Sequence, residues 1–221
     1  MSVKADLHVH TTYSQDSTIT LKELVFYAKK RGLNAVAVTD HNSLEGSFKI
    51  AKETDFLIIP GMEVSSRDGH IVAINVQELI PRGLGAGETV DRIHQSGGVA
   101  IACHPFALFK GSLGRNVLAK FDAVEVINAR AFPFDRSVRK AEKIAADLKL
   151  PRVAGTDAHY GPQIGYAYTA IESEPNVEAI SKAIIDGRSQ PFGHPVPLAL
   201  NLELQLQRLR KRNKDINEAS K

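Results

Sequence analysis

Short apolar runs alternate with helix-patterned segments along this chain, and most of those runs end in a histidine or a carboxylate. The first closes on Asp6-Leu7-His8-Val9-His10, and near the far end Arg152-Val153-Ala154 is followed by Asp157-Ala158-His159. Side chains at i, i+2 and i+4 of a strand project to one side. Asp6, His8 and His10 are therefore expected on one face, with Leu7 and Val9 on the other. Two imidazoles at this spacing can share a metal ion. One His-x-His is weak evidence, but repeated clusters at strand ends point to a polynuclear metal site.

A length of 221 residues suits one domain, and a single barrel can use all of it. The net charge of +3 is too small to argue for nucleic acid by itself. One cysteine, Cys103, excludes an intrachain disulfide framework, and after Val99-Ala100-Ile101-Ala102 it reads as a small core residue. The N-terminus has no apolar leader and no run approaches the ~18 residues of a membrane span. These features predict a cytoplasmic protein with no membrane partner.

The pattern predicts strands at Val3–Val9, Asn34–Thr39, Asp55–Pro60, His70–Val76, Val99–Cys103, Ala123–Asn128, Arg152–Thr156 and Tyr166–Ile171. Helices are predicted from Thr20, where Glu23 completes a capping box, to about Arg31, and over Leu44–Glu53, Glu88–Gln95, Asp135–Leu148 and Val177–Asp186. Such alternation implies a parallel sheet with right-handed crossovers. The strand count favours a closed or distorted barrel over an open doubly wound sheet, and no G-x-G-x-x-G follows the first strand. In a barrel the C-terminal strand ends share one face, where active sites form.

Nearly every polar cluster falls at such an end. Asp16 lies in the loop after His10; Thr39-Asp40-His41-Asn42 closes the second strand and Gly61-Met62-Glu63 follows the third. Gly69-His70 opens the next strand, and His104-Pro105 follows Cys103. Each alone has an ordinary explanation: a solvated loop carboxylate, a packed histidine, a helix cap. Those explanations would all have to hold together on one barrel face. His94, inside a helix, and His194, between Gly193 and Pro195, read instead as a surface residue and a turn residue.

The set DLHVH, TDHN, GMEVSS, GHIVAI, CHP and GTDAH, in this order, resembles the PHP (polymerase and histidinol phosphatase) domain from about residue 3 to residue 195. The resemblance implies an α/β fold, a distorted (β/α)7 barrel in one domain of residues 1–195. Residues 196–221 would form a C-terminal helical tail. It implies two to three divalent ions, zinc, manganese or iron, and hydrolysis of phosphate esters. His8, His10, Glu63 and Asp157 would hold one ion, and Glu63 would bridge to a second held by His70 and His104. Asp16, His41 and His159 would hold a third; a histidine often stands at the Asp16 position in the family. Glu63, Asp157 and His104 are the implied catalytic residues.

Three divalent ions set against Asp16, Glu63, Asp157 and a hydroxide leave a charge of about +2, which suits an incoming phosphate. Asp40 is expected behind the ligands, orienting a histidine. Glu125 and Asn128 are expected to line the pocket, and Arg115 and Arg130 to fork onto substrate phosphate. In the tail, Leu202, Leu206 and Leu209 make a helical stripe, predicting a helix docked on the barrel or on a second subunit of a homo-oligomer. Gln207–Lys214 carries five cations, a candidate nucleic-acid contact or a solvated helix end. The leading expectation is a phosphoesterase for small phosphomonoesters or nucleotides. The alternatives are a nuclease trimming nucleic-acid ends and an inactive barrel used for binding or structure. An amidohydrolase would also begin with His-x-His, but the third ligand trio favours phosphoesters.

Overall fold

The computed structural model describes the backbone of residues 1–219 and the side chains of residues 1–209. The apolar runs form an almost closed ring of β1 (Val3–Val9), β2 (Ala35–Val38), β3 (Leu57–Ser66), β4 (Gly69–Ile74), β5 (Val99–Ala102), β6 (Ala123–Asn128) and β7 (Arg152–Gly155). Closure comes just past β7. There Ala158 bridges Val9 in parallel, and Asp157 N donates to His8 O at 2.7 Å. β8 (Ala167–Ile171) pairs antiparallel with β1, and β9 (Ser189–Gly193) pairs antiparallel with β8. The result is a mixed α/β fold built on a distorted barrel, with a nine-stranded sheet.

α1 (Leu21–Lys30), α2 (Glu45–Lys52), α3 (Ala86–Gln95), α4 (Phe134–Leu148) and α5 (Val177–Ile185) pack on this sheet. α1 starts where its capping box predicts, with Thr20 N donating to Glu23 Oε2 at 2.9 Å and Glu23 N to Thr20 Oγ1 at 3.3 Å. Its Leu24 and Ala28, one helical turn apart, are fully buried against Val36 and Ile58.

Two expectations need correction. The sheet is not all parallel, because β3 runs beyond Pro60 to Ser66 and turns back through Arg67 and Asp68 into β4. With no helix between them the two strands pair antiparallel, Ser65 opposite His70, and β4 is also antiparallel to β5. Reversal brings the first residues of β4 to the end of the barrel where its neighbours finish. Nor does Asp6 share the surroundings of His8 and His10. The β1–β2 register shifts between Asp6 and Val9, which breaks strict alternation.

The chain ends in α6 (Leu198–Ala219), with the predicted stripe turned the other way. Leu202, Leu206 and Leu209 are exposed, whereas Leu204 is fully buried and Val196 and Leu200 pack beside Ala129 and Ala167. A polar contact fixes this orientation: Gln163 Nε2 donates to Asn201 Oδ1 at 3.1 Å. The helix is thus keyed to the segment that follows His159.

Candidate active site

Five strand ends converge on one buried carboxylate. Glu63 Oε1 lies 2.8 Å from His70 Nδ1 and 2.9 Å from His104 Nε2. Its Oε2 lies 2.9 Å from His41 Nδ1, 3.3 Å from His10 Nε2 and 3.7 Å from His8 Nε2. Burial opposes a charge here, but bonds from His10, His104, His41 and His70 outweigh it and hold Glu63 well below the ordinary carboxylate range. The reversed β4 supplies His70, which explains how a residue opening a strand joins residues that close others.

Asp157 forms a second focus, with Oδ1 3.4 Å from His159 Nδ1, 3.6 Å from His10 Nε2 and 3.9 Å from His8 Nε2. Lys110 pairs with its Oδ2, and Arg130 Nη1 stands 3.6 Å from Oδ1. Against the cost of burial, the charges of Lys110, His8, Arg130 and His159 hold Asp157 well below its usual range. Asp16 Oδ2 makes a third focus, 3.0 Å from His159 Nε2 and 3.6 Å from His41 Nε2. Burial disfavours the protonated His41 ring, yet Asp16 and Glu63 push it up to about 10. Desolvation and the neighbouring His159 charge carry His10 down to about 3.

All nine residues singled out as implied ligands therefore lie in one constellation. Donor atoms of His8, His10 and Glu63 lie within 4.8 Å of one another, as do those of His8, His104 and Asp157, of His41, Glu63 and His70, and of His10, His41 and His159. Among the described residues, His104 Nδ1 and Asp16 Oδ1 are buried without a hydrogen-bond partner. Converging imidazole nitrogens and carboxylate oxygens, some of them unpaired, fit divalent ions of borderline hardness. The backbone is strained at the same place, with φ of 31° at His104, 60° at Asp157 and 50° at Asn42.

Groups behind these residues fix their orientation. Glu125 Oε1 takes His8 Nδ1 at 3.1 Å, while its Oε2 accepts from His104 N at 2.7 Å and Asn128 Nδ2 at 3.0 Å. Asp40 reaches a histidine only through Ser14. The Ser14 hydroxyl donates to Asp40 Oδ1 at 2.7 Å and lies 3.3 Å from His10 Nδ1. Cys103 is fully buried and points its Sγ at Glu63 Oε1, 3.6 Å away. Burial pushes its thiol up, as suits a packed residue rather than a nucleophile.

A pocket of about 300 Å³ opens over this constellation. Arg130 lines it; Arg115 does not, standing exposed on the short turn Gly114–Asn116. Four lining residues were not assigned to the site from the sequence: Phe109, Lys110, Gly111 and Arg208. Lys110 lies six residues past His104 in a loop with no motif of its own, and Arg208 comes from α6, far along the chain from Asp16. His94 pairs with Asp122 at 2.8 Å and His194 sits edge-on to Tyr166, both apart from the pocket. Among the described residues no helix is long and apolar enough to cross a membrane.

The barrel and much of the sequence are shared with known proteins. A relative in Methanocaldococcus jannaschii, itself uncharacterized, is 37% identical over 141 residues, 58% of this chain and 82% of its own length. A 5'-3' exoribonuclease of Haemophilus influenzae is 36% identical over 89 residues, which cover 37% of this chain and 32% of that protein. In structure, a two-domain Bacteroides vulgatus protein containing a predicted PHP-like metal-dependent phosphoesterase superposes with a TM-score of 0.71 at 19% identity, over 88% of this chain and 65% of that one. PsfC from Pseudomonas syringae gives 0.71 at 18% identity over 95% and 98%. The family model for the PHP-associated segment matches residues 135–189, and that for the PHP domain matches residues 6–128. Since the latter match spans more than half of its residues, the chain belongs to the PHP domain family.

Proposed function

We propose that this protein hydrolyses phosphate esters with divalent ions, and that its substrates are small phosphomonoesters or nucleotides. The observation that carries this is Glu63, one buried carboxylate within 3.3 Å of ring nitrogens from His10, His41, His70 and His104, beneath a pocket rimmed by Lys110 and Arg130. In this proposal His8, His10, Glu63 and Asp157 would hold one ion, and Glu63 would also serve a second with His70 and His104. Asp16, His41 and His159 would hold the third. Zinc, manganese and iron match these donors. When bound, such ions supply electrophilic charge and make water a competent nucleophile near neutral pH.

The chain's own residues do the rest. Glu125 fixes His8 through Nδ1, and Ser14 fixes His10 through Nδ1, leaving both Nε2 atoms for the ions. Asp157 stays ionised between Lys110 and Arg130. Those two cations face the phosphate and offset the charge that builds on its oxygens in the transition state. Glu63, Asp157 and His104 border the position of attack.

A nuclease that trims nucleic-acid ends is the second proposal. Phe109, 95% exposed with φ of 61°, stands at the pocket mouth and offers a face on which a base can stack. The relative named as an exoribonuclease makes this worth testing. The test is a panel of aryl phosphate, nucleoside monophosphates and short oligonucleotides, assayed with manganese or zinc. Chelator is expected to abolish turnover and added ion to restore it, and Glu63→Gln to lower it at least about 100-fold. Wild-type turnover in Glu63→Gln would falsify the shared-carboxylate role. Cleavage confined to oligonucleotides, with affinity falling as salt rises, replaces the first proposal by the second.

A further inference from the structure

Arg208 is the one described pocket residue contributed by α6. Its Nε donates to the backbone oxygen of Asp16 at 2.7 Å, and its Nη2 stands 3.4 Å from Asp16 Oδ2. Among the described residues its Nη1 makes no hydrogen bond. Arg130 is anchored in a similar way from the opposite side. Its Nη1 donates to Asp157 O at 2.9 Å and meets His159 Nδ1, whose ring Nε2 bonds Asp16 Oδ2. Two guanidiniums thus flank the Asp16–His159 pair on one pocket, each held by one edge.

Like charges brought together on a partly buried wall repel, and the neighbouring carboxylates do not take up all their N–H groups. An oxyanion between them relieves the repulsion and uses the spare donors in the forked geometry that guanidinium matches best. Leu204 and Asn201 seat α6 in a fixed place, and the Nε bond then sets the direction of Arg208.

We infer that Arg208 is a substrate-binding residue, closing with Arg130 on the phosphate oxygens of the ester that occupies the pocket. The inference rests on the phosphoester reading of the site. The segment 196–209 then acts as part of the catalytic unit rather than as an appendage to residues 1–195.

The test uses the full chain loaded with manganese, with inorganic phosphate as the probe. Arg208→Gln is expected to weaken phosphate binding by about tenfold or more and to raise KM for an aryl phosphate with little change in kcat, as expected for loss of a charged hydrogen bond. Arg208→Lys, which keeps the charge without the fork, is expected to recover part of the loss. Unchanged phosphate affinity in a folded Arg208→Gln protein overturns the inference. A second measurement needs no variant: phosphate is expected to slow amide exchange within 198–209 of the wild-type chain, and equal exchange with and without phosphate also overturns it. Should phosphate bind through Arg208 while no ester is turned over, the phosphoester reading fails and Arg208 keeps only its role in holding an oxyanion.

Discussion

Asp6 opens the same motif as His8 and His10, yet it serves the backbone. Its Oδ1 accepts from Thr156 N at 2.8 Å and from His8 N at 3.3 Å, and its Oδ2 accepts from Gly165 N at 3.0 Å. The carboxylate therefore ties β1 to the segments that follow β7 and precede β8. Burial raises it to about 6 despite these bonds. Asp6→Ala leaves buried N–H groups without an acceptor and is expected to cost about 1–3 kcal/mol or more. Because the folded value lies above the unfolded one, Asp6 contributes most below pH about 4, and that contribution declines as pH rises towards 6. The penalty of Asp6→Ala in urea unfolding should accordingly shrink from pH 4 to pH 7; a penalty that grows with pH would refute the assignment. At this scale the sequence picked out the residues that the fold gathers around Glu63, since histidines and carboxylates at strand ends have few other uses together. It could not show Lys110 or Arg208, whose positions depend on a loop path and on the docking of α6. Nor could it separate Arg130 from Arg115, which differ only in where their loops lead.

Among the elements, the helices were legible because caps and apolar spacing are local, as Thr20 and Glu23 illustrate. The strands were legible in place but not in direction. Pro60 looked like the end of β3; instead it marks a change of partner, with Leu57–Pro60 on β2 and Gly61–Ser66 on β4. β9 was missed because Pro191 and Gly193 argue against a strand, and an edge position tolerates both. Closure of the barrel was likewise hidden, because it depends on a close approach at Gly155. A Cβ there would stand 2.5 Å from His8 Cβ and 2.7 Å from Glu125 Oε1. Gly155→Ala must push β7 away from β1 or displace the pair that orients His8. The expected cost is about 1–3 kcal/mol of stability, as for other overpacked sites, together with weaker metal binding. Thermal unfolding and a zinc titration check both. Wild-type values in each would mean that β7 can move without consequence for the site.

For the molecule as a whole, the same cluster sets stability and metal affinity against each other. Without added ions, His41 is stabilised as a cation by Asp16 and Glu63, and its folded value of about 10 lies above the ordinary 6.5. A base raised in this way contributes stability that is complete below about pH 6.5 and is lost as pH rises through about 10. His10, lowered to about 3, acts in a different window: it disfavours the fold only below 6.5 and leaves the range above to His41. At the proposed site metal binding would follow the opposite trend, since an ion held by His41 would have to displace its proton and would gain affinity as pH rises. An ion that binds the folded chain raises its stability by RT ln(1 + L/Kd), where L is the free-ion concentration, so a tighter site at a given L stabilises more. Chelated protein should therefore melt at progressively lower temperature from pH 6.5 to pH 8.5, while the melting-temperature gain from manganese or zinc widens over the same range. Calorimetry of both forms in one buffer series gives the two slopes directly. If the gain from metal stays level or narrows as pH rises, His41 is not among the groups that must lose a proton for the ions to bind, and the ion proposed for Asp16, His41 and His159 has to be withdrawn.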